Sequence, residues 1–182
     1  MTEKDIEEGC KNGDNIARKE LYRQYGGLML GIIIRYVGNR EQAKDLLHDG
    51  FIKAFNSFDK FTWRGEGSLK AWLSRLFVNQ SLIYLRKAKE LQNFVSLDDV
   101  VQVTDIPEED DVMRMPQELI MRFIADLPAG YRTVFNLYVL DGLSHKEIGK
   151  LLNIAERTSA SQFFRAKQLL AHRISNYLSK LA

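Results

Sequence analysis

The chain has 182 residues, 45% of them hydrophobic and 27% charged, a mixture that can bury a core and that excludes a disordered or fibrous polymer. With 3 Pro and 12 Gly it is neither collagen-like nor of low complexity; its single Cys10 cannot form an internal disulfide and no secretory signal pattern opens it, so a reducing cytoplasm is expected. The net charge is only +2, and the longest apolar run, Leu28 to Ile34, falls far short of the roughly 20 residues that cross a bilayer.

From Asp14 to Val37, apolar residues at Ile16, Leu21, Tyr25, Leu28, Ile32 and Tyr36 predict one long helix capped by Asp14. Asn39 caps a second helix, whose inward stripe is Ala43, Leu46, Leu47, Phe51, Ala54, Phe55 and Phe58. The segment from Thr62 to Ser68 breaks the periodicity. Ser68 is then placed to cap a third helix in which Leu69, Trp72, Leu73, Leu76, Phe77, Gln80, Ile83 and Tyr84 face inward and which ends in the basic cluster Arg86-Lys87-Ala88-Lys89. Residues 91–118 follow with 8 acidic and 1 basic group, a net of −7, between flanks of +4 (residues 1–90) and +5 (residues 119–182). Like-charge repulsion, Pro107 and Pro116 predict an extended acidic linker there.

Beyond it, Gln117 to Asp126 reads as a helix stopped at Leu127-Pro128, and Pro128 opens the next, which carries Tyr131, Val134, Phe135, Tyr138 and Val139 up to Asp141-Gly142. Ser144 and Glu147 form a capping box for a short helix through Ile148, Leu151 and Leu152. Asn153 suits a positive φ, Ile154 tucks inward, and a last helix runs from about Glu156 through Leu178. The fold class expected is therefore all-α: two small helical domains joined by an acidic linker, with no internal repeat.

A short capped helix, a tight turn and a longer basic helix is the layout of a helix-turn-helix. If Ser159, Phe163, Ala166 and Leu170 pack inward, Arg157, Ala160, Ser161, Phe164, Arg165 and Gln168 face outward. Arg165 can then contact guanine bidentately, Ser161 a base edge or phosphate, and Phe164 a thymine methyl, with Arg157 and Lys167 on the phosphate backbone. A plain αα-hairpin with a solvated basic face shares the spacing; an exposed Phe164 beside a buried Phe163 favours the DNA reading.

Between Phe58 and Lys89 the chain interleaves rings and cations (Phe61, Trp63, Arg64, Lys70, Trp72, Arg75, Phe77, Tyr84, Arg86 and Lys87), as an unpaired strand requires for stacking and backbone contact. Trp72, Phe77 and Tyr84 lie at core phase and read as packing. The loop residues Trp63, Arg64, Gly65 and Glu66 have no such explanation. Gly65-x-Gly67 is a weak phosphate cradle, with no preceding strand and no Walker lysine. Asp45 and Asp49 share a helix face, better read as a partner-facing surface than as paired catalytic carboxylates. The scattered His48, His145 and His172 give no zinc spacing, and no nucleophile elbow exists. The expectation is no enzyme, no metal and no cofactor.

The order of these parts resembles an extracytoplasmic-function (ECF) sigma factor of the sigma-70 superfamily over nearly the full chain. The resemblance rests on the runs Leu21 to Tyr25, Asp45 to Phe55, Phe61 to Trp72 with its Arg64-Gly65-Glu66-Gly67-Ser68 core, Val78 to Arg86, Leu127 to Arg132, and Ser144 to Lys167. The Gly130 to Tyr138 and Ser144 to Ile148 runs look most like members from the Bacteroidetes. The resemblance implies a subunit that binds bacterial RNA polymerase core and promoter DNA. Residues 1–90 would form the region 2 domain, whose helix carrying Asp45, His48, Asp49 and Ile52 docks on polymerase. Its loop residues Trp63, Arg64, Gly65, Glu66 and Ser68, with Asn79, Arg86 and Lys87, would hold the melted minus-10 element. Residues 119–182 would form the region 4 domain, reading minus-35 duplex through Ala160, Ser161, Phe164 and Arg165. An anti-sigma protein is a further implied partner. This sequence departs from the family in three places. Ala155 stands where a capping Ser is frequent, worth about 1 kcal/mol unless Asn153 substitutes. Ala160 replaces a commonly basic residue, and His48 and Asp49 replace a usual Gln and Glu. The rival readings are a stand-alone helix-turn-helix regulator and a helical adaptor that binds only protein.

Overall fold

A computed structural model describes residues 1–88, 107 and 112–181; the acidic linker expected over 91–118 lies outside the described residues but for Pro107 and 112–118. Every regular element among the described residues is helical. They fall into two compact units, Met1–Leu85 and Arg86–Ala182. No helix among the described residues is long and apolar enough to cross a membrane.

The first unit holds α1 (Glu3–Lys11), α2 (Asn15–Val37), α3 (Arg40–Phe55), a 3-10 turn (Phe58–Lys60) and α4 (Ser68–Lys87), whose last turn crosses the unit boundary. Asp14 and Asn39 cap α2 and α3 through their side chains, as the sequence predicts. Helix α1 is not foreseen by periodicity, because it buries only Ile6, Glu7 and Cys10; its signal is the capping box of Thr2 and Asp5. Burial pushes the Cys10 thiol up to about 11, so it is protonated at neutral pH and packs as a small apolar group.

Inward assignments in two helices are corrected. In α2 the buried stripe is Ala17, Leu21, Tyr25, Met29, Ile32, Ile33 and Tyr36, leaving Ile16 72% and Leu28 42% exposed. In α4 the buried residues near the end are Ser81, Leu82 and Leu85, and Ile83 is 40% exposed. Around Leu28 and Ile83 apolar residues lie on several sides, so periodicity alone leaves the phase ambiguous, while Ile16 is exposed in the first turn of α2 beside Arg18, Lys19 and Glu20.

The seam between α3 and α4 is unusually close. A Cβ added at Gly50 would lie 2.0 Å from the Phe77 ring, which packs edge-on against Phe51 at 5.2 Å, and the Gln80 amide donates to the Leu46 carbonyl at 3.0 Å. Gly50→Ala is therefore expected to cost about 1–3 kcal/mol by overpacking, read as an earlier urea midpoint of the full chain; an unchanged midpoint would mean that Phe77 can swing aside.

The second unit holds α5 (Gln117–Ala125), α6 (Ala129–Phe135) running into a π-turn (Asn136–Leu140), α7 (His145–Leu152) and α8 (Glu156–Leu178). Ile124, Leu127, Tyr131, Ala166 and Leu170 form its core. The π-turn resets the helical phase after Phe135, so Tyr138 and Val139, which the sequence strings on the same helix as Tyr131 and Val134, are exposed. The carbonyl end of α5 is closed by two arginines. Buried Arg132 donates to the Ala125 and Leu127 carbonyls at 2.6 and 2.9 Å, and Arg173 to those of Phe123 and Asp126 at 3.0 and 3.1 Å.

Candidate nucleic-acid interface

In the first unit the chain leaves α3 through buried Phe58 and Phe61, and the Trp72 ring lies 5.1 Å from each of theirs. This aromatic floor turns the backbone outward into a loop in which Gly65 and Gly67 take φ of +105° and +83°, values that side-chain-bearing residues rarely adopt. The Ser68 hydroxyl donates to the Gly65 carbonyl at 2.6 Å and accepts from the Arg64 N–H at 3.3 Å. Ser68 is thus the first residue of α4 and ties the loop to itself, where the sequence reading made it the helix cap. The first helical bond runs from the Ala71 N–H to the Gly67 carbonyl, so Gly67 occupies the cap position.

Above the floor is a cavity of about 430 Å³. Lys60, Arg64 and Arg75 bring positive charge, Phe61 and Trp72 aromatic faces, and Thr62 and Ser68 hydroxyls, with Ala71 leaving room at the wall. Trp72 is therefore half-buried and serves both as core and as lining, whereas the sequence assigned it to core alone. Of the expected loop residues, Arg64 and Ser68 line this cavity. Trp63, half-buried, and Gly65 and Glu66 belong to the same loop but are not among its lining residues. Asn79 is exposed one turn beyond Arg75, and Arg86 and Lys87 are exposed at the end of α4. Sequence reasoning missed Lys60, Thr62 and Ala71; the Lys60-Phe61 pair, continuing the ring-and-cation alternation, was the signal available.

On α3, Asp45, His48, Asp49 and Ile52 recur at i, i+3, i+4 and i+7 and are all exposed, Ile52 at 59%. Tyr22 of α2 stacks beside His48 at 6.3 Å and packs tilted against Phe51 at 4.8 Å. Among the described residues no group of three or more His, Cys, Asp or Glu is placed to hold a metal ion.

In the second unit, Ser144 and Glu147 complete the expected capping box, Asn153 adopts φ of 57°, and the Ile154 N–H returns to the Gly149 carbonyl at 2.9 Å. The turn is tight enough that a Cβ at Gly149 would stand 2.8 Å from the Ile154 carbonyl oxygen. Across it, His145 Nδ1 and the buried Ser159 Oγ are 3.0 Å apart, and Tyr138 packs 4.5 Å from both the His145 and Phe163 rings. These contacts set the angle between α7 and α8. Ala155 occupies the N-cap of α8 with no side-chain bond, so Asn153 does not replace the missing serine.

Ser159, Ala166 and Leu170 are buried as the phase requires, but Phe163 is only half-buried and Gln162 takes the interior place beside it. Arg157, Ala160, Ser161 and Lys167 are exposed, and Phe164 is 59% exposed. Lys167 reaches back over the Phe163 ring at 5.7 Å. Two outward assignments are corrected: Arg165 and Gln168 are half-buried, and Arg165 leans inward, donating to the Tyr131 hydroxyl at 3.4 Å. That contact holds the guanidinium in place while leaving most of its five donors for a ligand.

Residues 21–91 match the family described as Sigma-70 region 2, and residues 117–170 that described as Sigma-70, region 4; together they take in well over half of the chain. The chain is similar to the ECF RNA polymerase sigma-E factor of Haemophilus influenzae, 27% identical with 96% of each chain covered. It is similar to that of Escherichia coli strain K12, 28% identical over 96% of this chain and 95% of the other. A solved structure, that of CnrH in complex with the cytosolic domain of CnrY, covers 94% of this chain and 96% of its own at 19% identity, with a TM-score of 0.48.

Proposed function

Because the chain belongs to the sigma-70 family, as an ECF sigma factor that directs transcription initiation, we propose a division of labour between its two units. Residues 119–182 hold minus-35 duplex, with Ser161, Phe164 and Arg165 toward base edges, Ala160 against the groove, and Arg157 and Lys167 on phosphates. Residues 1–90 hold the melted minus-10 strand. One unpaired base enters the cavity between Trp72 and the cations Lys60, Arg64 and Arg75, and Trp63, Gly65, Glu66, Ser68, Asn79, Arg86 and Lys87 guide the strand on either side. The α3 face of Asp45, His48, Asp49 and Ile52 docks on the polymerase core, which supplies the chemistry; this chain supplies none. Residues 91–118 act as the acidic linker that sets the reach between the two grips, so that each grip raises the effective concentration of the other. The factor works in the cytoplasm, it is of the kind found in the Bacteroidetes, and an anti-sigma protein restrains it.

The observation that carries this reading is the cavity: a recess walled by aromatic rings and three cations has the chemistry of an unpaired nucleotide. Run-off transcription with purified polymerase core tests it. Trp63→Ala and Asn79→Ala should impair use of a fully paired promoter more than one premelted at the minus-10 element, and equal loss on both templates would overturn the assignment. A complex that forms but initiates nowhere on a promoter library would favour the adaptor. Binding to palindromic duplex without core would favour a stand-alone regulator.

A further inference from the structure

The loop beside the cavity has little packing to hold it. A Cβ at either Gly65 or Gly67 would meet nothing within 4 Å, and glycines at positive φ leave the backbone its greatest freedom. A restraint arrives from another helix. The Glu3 carboxylate, 64 residues away in sequence, accepts the Gly67 N–H on Oε2 at 2.7 Å and the Tyr25 hydroxyl on Oε1 at 2.6 Å. Tyr25 is itself buried in the middle of α2, and burial together with its bond to Glu3 pushes its phenol well above the ordinary range, so it stays a donor. Glu3 is delivered to this point by α1: the Thr2–Asp5 capping box fixes the first turn, and Ile6 and Cys10 seat the helix in the core.

We propose that Glu3 is a positioning residue for promoter opening, a latch from α1 that holds Gly67, and with it the Arg64–Ser68 wall of the cavity, in the strand-capturing conformation. The inference rests on the reading of that cavity as the site for an unpaired base. Each bond is charge-assisted and therefore stronger than an ordinary loop contact. With the latch gone, the loop samples other conformations, and only the fraction in the open-cavity form captures a base. Nascent melting suffers most, because the captured base is what keeps the duplex from re-pairing.

The test uses the full chain with polymerase core and follows open-complex formation by permanganate reactivity on paired and premelted promoters. Glu3→Ala should slow opening of the paired promoter by about tenfold and change use of the premelted one by about twofold or less. Glu3→Gln keeps both contacts, its amide oxygen accepting from Gly67 and its NH₂ donating to the Tyr25 oxygen, and should stay within about threefold of the parent chain. Tyr25→Phe, which removes one anchor, should fall between them. If the double variant Arg64→Ala, Arg75→Ala at the cavity wall slows the paired promoter selectively and Glu3→Ala does not, the latch is refuted and the cavity reading stands. If Glu3→Ala slows both templates alike, or Glu3→Gln fails as badly as alanine, Glu3 has only a general structural role and the proposal is overturned. If the Arg64→Ala, Arg75→Ala double variant affects both templates equally, the cavity reading fails and the latch falls with it.

Discussion

Replacing Arg64 and Arg75 together by alanine is expected to slow opening of a paired promoter by about thirtyfold, roughly 2 kcal/mol, while a promoter premelted at the minus-10 element loses only a few fold. Both side chains are exposed at the cavity wall and neither packs in the core, so the double variant should fold as the parent does. Its loss would then report contacts to the strand. Trp72 is a worse target, since its ring also rests on Phe58 and Phe61 and its removal would open the floor of the site. Permanganate footprinting on the two templates separates the cases, and an equal loss on both would place the arginines in simple duplex affinity.

The second large effect is expected at Arg165. A bidentate guanidinium contact to guanine is worth about 1–3 kcal/mol of discrimination, so Arg165→Ala should weaken the preferred minus-35 duplex by about tenfold to a hundredfold and relax selectivity at one position. Lys167→Ala should instead weaken all sequences to a similar, smaller extent, as loss of a phosphate contact does. The Tyr131 hydroxyl at 3.4 Å gives Arg165 a defined starting position. Competition binding of the polymerase complex on promoters varied one base pair at a time reads both effects. A uniform loss from Arg165→Ala would move that residue to the backbone class.

How far the sequence reaches depends on the kind of signal each residue carries. Caps are local, and Asp14, Asn39 and Ser144 are found where side-chain chemistry and spacing put them. Phase was harder. Where a helix is apolar on several sides, as at Leu28 and Ile83, nothing in the pattern says which side the neighbouring helices will cover. The π-turn after Phe135 is a backbone event without a residue signature, and it exposed Tyr138 and Val139. In the candidate site, Arg64 was legible because no periodicity explained it, whereas Ser68 read as a helix cap and joined the site only through the family resemblance. Lys60, Thr62 and Ala71 join the cavity only once the aromatic floor folds the chain back, and the Glu3 latch spans a separation that no local pattern encodes.

The two arginines at the carbonyl end of α5 have one last consequence. A helix ends in a concentration of negative partial charge, and a small domain that must approach a polyanion can ill tolerate an unshielded one. Arg132 and Arg173 cancel that charge from within. Part of the basic character of residues 119–182 is thereby committed to removing a source of repulsion, and the attraction felt by DNA comes from fewer cations than the sequence contains.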